Sequence, residues 1–319
     1  MNLQELVAAH GQRPQRSVPD WMLGFFKRYA ISFADGTTDL DTHVCWLQSR
    51  NFTIDLRLPL AADQAPPKPL WACTTADLQR LADHEGWAAE SEWDGRVLRW
   101  HDTEASLQLL NRWPEPAILH RVGNCMVEFC ASGAYVEDWR LQPSRPGPLV
   151  GLRLTEEREV ASGRLRHRGG GLIVCGEHAA LVRGRPAPVA AAAGKHLKAL
   201  VEAAEGDLPR LQRLFDFETS VARGSLAEGY AVVHSTQPLR VGQPLLALDG
   251  FDFLPGDGNA PAGVRQRTVV DGVAVERHFG IDTLEARVDF PQATGITPEA
   301  ADWYRREAGT LGRYTRVLA

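Results

Sequence analysis

The stretch Phe52-Thr53-Ile54-Asp55-Leu56-Arg57-Leu58-Pro59 has the clearest periodicity in the chain. Side chains alternate along a strand, so Phe52, Ile54, Leu56 and Leu58 share one face and Thr53, Asp55 and Arg57 the other. One apolar and one polar face belong to an antiparallel sheet, because buried parallel strands read as unbroken apolar runs. Pro59 stops the strand, having no N–H for the ladder. The apolar face is expected to own the interior.

Strand signals continue on both sides. Upstream, residues 29–33 run into the turn Ala34-Asp35-Gly36, and 42–48 form a second strand. The first dozen residues read as weakly ordered, with a short helix or turn over 19–27. Downstream come a Pro/Ala-rich loop (60–72), a helix over 75–84, a hairpin around Asp94-Gly95, and strands at 106–110 and 117–122. The pattern then restarts. Cys125 to Gly133 echoes Phe33 to Gly36, Trp139-Arg140-Leu141-Gln142 echoes Trp46-Leu47-Gln48, and 150–154 echoes 54–58. Three echoes in one order indicate a duplicated unit and divide the chain into lobes 1–122 and 123–319. In the second lobe a helix is expected over 194–205, with further strands up to 288 and a closing helix over 298–308. The fold class read from this is mainly β, as two antiparallel barrels in tandem, each with a short helix.

Composition narrows the function classes. A net charge of −5 without long basic runs excludes nucleic acid as the main partner. No apolar run is long enough for a membrane span, and the start lacks the features of a secretion signal. Five cysteines, at 45, 73, 125, 130 and 175, show no paired metal-ligand spacing, so the expectation is no metal, no cofactor and the cytoplasm. Walker, dinucleotide and nucleophile-elbow motifs are absent from the sequence.

The runs Thr42-His43-Val44-Cys45-Trp46-Leu47-Gln48 and Asp55-Leu56-Arg57-Leu58-Pro59 resemble a group of bacterial and fungal two-barrel proteins with calycin-like (lipocalin-like) lobes. Tyr135 to Arg140, Gly170 to Val174 and Glu218 to Gly224 are similar to that family's later motifs. The resemblance covers about residues 25–250 and implies two calycin-like barrels. The family carries no settled activity, so it implies none here.

Three constellations are candidates for chemistry. The first is Gln48, Asp55 and Arg57 with Trp46, where a carboxylate beside a guanidinium can hold a polar group, or simply close an ion pair on the outer wall. The second is Tyr135, Glu137 and Trp139 on one strand face, an aromatic–carboxylate set suited to a barrel mouth or to core packing. The third is Glu177, His178, Arg183, Glu218, Arg223 and His234, where a buried histidine can serve as a base or remain a satisfied core residue. The leading expectation is a module binding a small, mainly apolar ligand in a barrel. The alternatives are a protein-interaction module with filled barrels, and an isomerase or hydrolase using His234 or His178 with Glu218.

Overall fold

A computed structural model describes residues 1–110, 116–189, 194–256, 262–290 and 298–314. The chain is mainly β, in two antiparallel sheets. The first contains β1 (Gly24–Phe33), β2 (Thr38–Asp39), β3 (His43–Gln48), β4 (Phe52–Leu58), β5 (Glu85–Trp93) and β6 (Val97–Ser106). It continues through β7 (Ala117–Val122), β8 (Cys125–Cys130) and β9 (Tyr135–Leu141). Neighbours in sequence pair from β3 to β9, and β1 pairs with both β3 and β9. The ladder therefore closes into an eight-stranded barrel (β1 and β3–β9), with β2 an appendage on β1. Closure removes exposed edges.

The second sheet takes β10 (Gly147–Glu159), β11 (Leu165–His167), β12 (Gly170–Cys175), β13 (His178–Arg183), β14 (Glu218–Ser225) and β15 (Gly229–Ser235). Its remaining strands are β16 (Phe251–Leu254), β17 (Gly263–Val270) and β18 (Val273–Val288). The order is β15-β14-β13-β12-β10-β18-β17-β16, with β11 on β10. Among the described residues no ladder joins β15 to β16. Residues 243–249 lie between them instead. The Leu245 N–H donates to the Tyr230 carbonyl at 2.8 Å, and Gln266 Nε2 donates to the Ala247 carbonyl at 2.7 Å. The expectation of two closed barrels therefore holds for the first sheet, while the second is a curved sheet whose edges are bridged by a loop.

The break between sheets falls between Leu141 and Gly147, not at residue 122. β8 and β9, which the sequence assigns to the second lobe, complete the first barrel because β9 seals against β1. The echoes thus cross the boundary: two lie inside the barrel and the third, in β10, outside it.

Five helices flank the sheets: α1 (Leu3–Ala9), α2 (Thr75–Leu81), α3 (Leu197–Glu202), α4 (Leu208–Phe215) and α5 (Pro298–Tyr314). The helix expected over 194–205 is α3, and a second helix, α4, follows it, capped by Asp207 and with Pro209 in its first turn. The N-terminal residues are ordered. Asn2 and Glu5 form a capping box, and Leu3, Leu6 and Val7 of α1 are buried against the second sheet. Residues 107–110 follow β6 as irregular chain, and 244–248 form a loop and not a strand.

Packing inverts the expectation for the Phe52–Leu58 strand. Phe52, Ile54 and Leu56 pack across to Ile173, Ala180, Val182 and Val221 of the second sheet. Contact is close: a Cβ on Gly171 would lie 3.0 Å from the Phe52 ring, and one on Gly86, the partner of Leu56, 2.5 Å from Thr219 Oγ1. The barrel interior belongs to the other face. Trp46, the cross-strand partner of Asp55, meets Trp139 with ring centroids 5.3 Å apart and Phe26 at 5.6 Å. A separate core of Val150, Leu152, Leu172, Leu181, Phe279 and Leu284, with α1, fills the concave side of the second sheet.

Candidate functional site

Two of the three sequence constellations meet inside the barrel. Because β1 lies between β3 and β9, Trp46, Gln48, Asp55 and Arg57 face the same interior as Tyr135, Glu137 and Trp139. The sequence had placed these sets in different lobes. Gln48 is fully buried; its side chain takes the Trp46 indole N–H at 3.2 Å and donates to Ser91 Oγ at 3.2 Å. This knots one end of the barrel. At the other end the interior is charged.

Arg57 Nε donates to Asp55 Oδ1 at 2.9 Å. Arg28 Nη1 donates to Glu137 Oε1 at 2.9 Å, and Arg28 Nη2 to Asp39 Oδ2 at 2.8 Å. Glu137 stands directly across the ladder from Glu128, whose Oε2 accepts the Trp139 indole N–H at 2.9 Å. Burial, and next the neighbouring Glu137 charge, push the Glu128 carboxyl well above the usual carboxylate range. Burial likewise raises Asp55, against the pull of Arg57.

Arg28, Asp39, Glu85 and Glu128 were missed in the sequence. A register shift in β1 between Arg28 and Ala30 hides the pattern: it turns Ile31 and Phe33 inward although Arg28 already points there. The available signal was Glu128, a lone carboxylate within the apolar strand Cys125–Cys130.

Above these charges the barrel opens into a cavity of about 260 Å³. Its walls are Ile31, Phe33, Leu58 and Pro59 on the apolar side, with Arg28, Asp39, Thr42, Arg57, Asp83 and Glu85 on the polar side. All lie at the end of the barrel where β1 and β4 stop and β3 and β5 begin.

The third constellation assembles only in part: Arg183 pairs with Glu218, and the histidines do not join them. Glu218 points into the concave side of the second sheet, where Arg183, Arg240 Nε (2.8 Å) and Ser220 Oγ (2.6 Å) donate to it. Burial pushes its pKa up, but Arg183 and Arg240 outweigh this and hold it at about 2, far too low for a neutral-pH base. His234 and His178 lie on the opposite face, toward the barrel. His234 stacks on His43 at 4.0 Å, and His178 meets Phe25 at 4.6 Å and the Pro143 carbonyl at 3.1 Å. Arg223 is exposed. The pairing of either histidine with Glu218 is therefore corrected: the sheet separates them.

A second buried charge group lines the concave face beside Glu218. Arg277 donates to Glu157 Oε2 at 2.6 Å and to Gln266 Oε1 at 2.9 Å. Here three guanidiniums, Arg183, Arg240 and Arg277, share two carboxylates, Glu157 and Glu218, beside an aliphatic core.

Among the tryptophans between residues 71 and 113, Trp71 is 75% exposed; Trp87 packs on Trp100 and Trp93 on Trp21, and Trp113 lies outside the described residues. All five cysteines are free thiols, and burial raises Cys45 and Cys125 to about 12, which leaves both poor nucleophiles. Among the described residues no group of three or more His, Cys, Asp or Glu side chains is arranged to hold a metal ion, and no helix is long and apolar enough to cross a membrane.

Compared with known proteins, the chain matches no family model, no curated protein and no solved structure. The calycin-like likeness of residues 42–59 accordingly remains a reading of those residues.

Proposed function

We propose that this chain is a small-molecule-binding protein whose ligand enters the mouth of the first barrel. The observation that carries the reading is the cavity of about 260 Å³ over a buried set of charged residues. Its size suits a small ligand, and its lining pairs an apolar wall with a few convergent polar groups, the usual make-up of a binding site. The mainly apolar ligand anticipated from sequence gives way to an amphipathic one, since Arg28, Asp39, Arg57, Asp83 and Glu85 form half the wall. The second sheet, filled by its own side chains and α1, is a scaffold in this reading.

Native mass spectrometry of the full chain with a mixture of small amphipathic compounds tests it. Adducts are expected on the wild type and not on Thr42→Phe, which fills the mouth. Equal adducts on both proteins, or none on either, would contradict the proposal.

A further inference from the structure

Resting on that binding reading, we infer that acid opens the barrel mouth and releases its ligand, and that the switch is the contact between His43 and His234 across the seam between the two sheets. The two imidazoles come from different sheets, on β3 and β15, and their ring centroids lie 4.0 Å apart. Protonating both sets two like charges in contact. The other charged group that acts on both rings is Lys27 of β1, a cation as well. Lys27 also reaches His178, which has Arg223 and Glu177 beside it, and Glu177 is already held by Arg145 Nε at 3.1 Å. His43 has one more neighbour, since the Cys45 Sγ lies 3.3 Å from its Nε2. A protonated ring points an N–H at that thiol, a weak acceptor, in place of a nitrogen able to take the S–H.

One peptide links this contact to the site. His43 opens β3, and the residue before it, Thr42, lines the cavity. The Thr42 N–H donates to Asp39 Oδ1 at 2.9 Å, and Asp39 Oδ2 accepts from Arg28 Nη2 at 2.8 Å, so the seam is tied to the charged wall of the mouth. A strand end pushed away from His234 carries Thr42 with it and pulls on Asp39. The direction in pH follows from the rings. Burial first, and then Lys27, hold His43 below the ordinary histidine range; burial, His43 and Lys27 bring His234 to about 4. Opening the contact returns both toward about 6.5, so the closed mouth is favoured above that pH and lost progressively as pH falls toward 4.

Methyl NMR of the full chain without ligand, between about pH 7.5 and 5, tests the switch by itself. Ile31 and Leu58 at the mouth are expected to shift in the wild type, and by less than about half as much in His234→Gln and in His43→Gln. The mouth carboxylates are present in all three proteins, so equal shifts in the variants, or none in the wild type, would overturn the switch and leave the binding reading standing. The same proteins are then titrated calorimetrically with 2-phenylethanol, whose charge does not change over this range. The wild type is expected to bind it about tenfold more weakly at pH 5 than at pH 7.5, and each variant to lose less than about threefold. Equal losses in wild type and variants would overturn the switch alone. No binding to the wild type at pH 7.5 would overturn the binding reading and the switch together.

Discussion

Arg28 in the barrel and Arg183 in the second sheet are the same residue type in the same kind of position, a concave sheet face beside a buried glutamate. Their surroundings differ. The glutamate of Arg183, Glu218, has a second guanidinium in Arg240 and a hydroxyl in Ser220. The glutamate of Arg28, Glu137, faces another carboxyl, Glu128, and the space above opens to the cavity. The second sheet sets three guanidiniums, Arg183, Arg240 and Arg277, around two carboxylates, Glu157 and Glu218; the barrel gathers its carboxylates next to an opening. A folded chain retains such a cluster at a cost to stability, and its position at a cavity is what ties it to binding.

Substitutions that separate the two regions should differ in size. Arg28→Ala strands Glu137 and Asp39 and is expected to cost about 3–5 kcal/mol in urea unfolding, whereas Arg183→Ala, with Arg240 still on Glu218, should cost less. Equal losses would erase the contrast. The seam between the sheets comes next: Gly86→Ala drives a methyl into Thr219 and should destabilise by about 2 kcal/mol. A neutral result there would mean that the sheets are not held in contact.

Acid should act chiefly on that same seam. His43, His178 and His234, and the fully buried His84 bonded to the Thr236 carbonyl, are all held below the ordinary histidine range by burial first. For His234, His43 and Lys27 add to the effect and bring it to about 4. A histidine that is harder to protonate when folded than when unfolded gives its full stability above about pH 6.5 and loses it as pH falls toward 4. The expected loss from His234 is about 2 kcal/mol over that range, and His234→Gln should flatten the profile in a pH series of thermal melts. The smallest effect has the opposite sign. Glu128→Gln mimics the protonated carboxyl, keeps an acceptor for Trp139, and should stabilise the chain by about 1 kcal/mol at neutral pH. Destabilisation would show that the Glu128 charge is needed.

Much of the strand plan was legible in the sequence, and the sides of the strands were not. The period of two in Phe52–Leu58 located β4 and its antiparallel character. Choosing which face points inward rests on one side being wet, and here Thr53 and Asp55 are as buried as Ile54 and Leu56. A barrel packed on a second sheet has two buried faces, and the polar one turned out to be the interior. The site residues Asp55, Arg57, Glu137 and Trp139 were named, but their meeting was not visible, because closure of β9 on β1 spans more than a hundred residues and leaves no local trace. Arg28 was lost to the register shift at Tyr29. The helix α1 was readable in retrospect from Asn2, Glu5 and the apolar set Leu3, Leu6 and Val7.

Methyl NMR of the full chain during titration with a small amphipathic compound that gives an adduct in native mass spectrometry compares the two regions in a single sample. Ile31 and Leu58 at the barrel mouth should shift and saturate, while Leu172, Leu181 and Val264 on the concave face of the second sheet stay in place. Shifts confined to the second set, with the barrel mouth silent, would contradict the account.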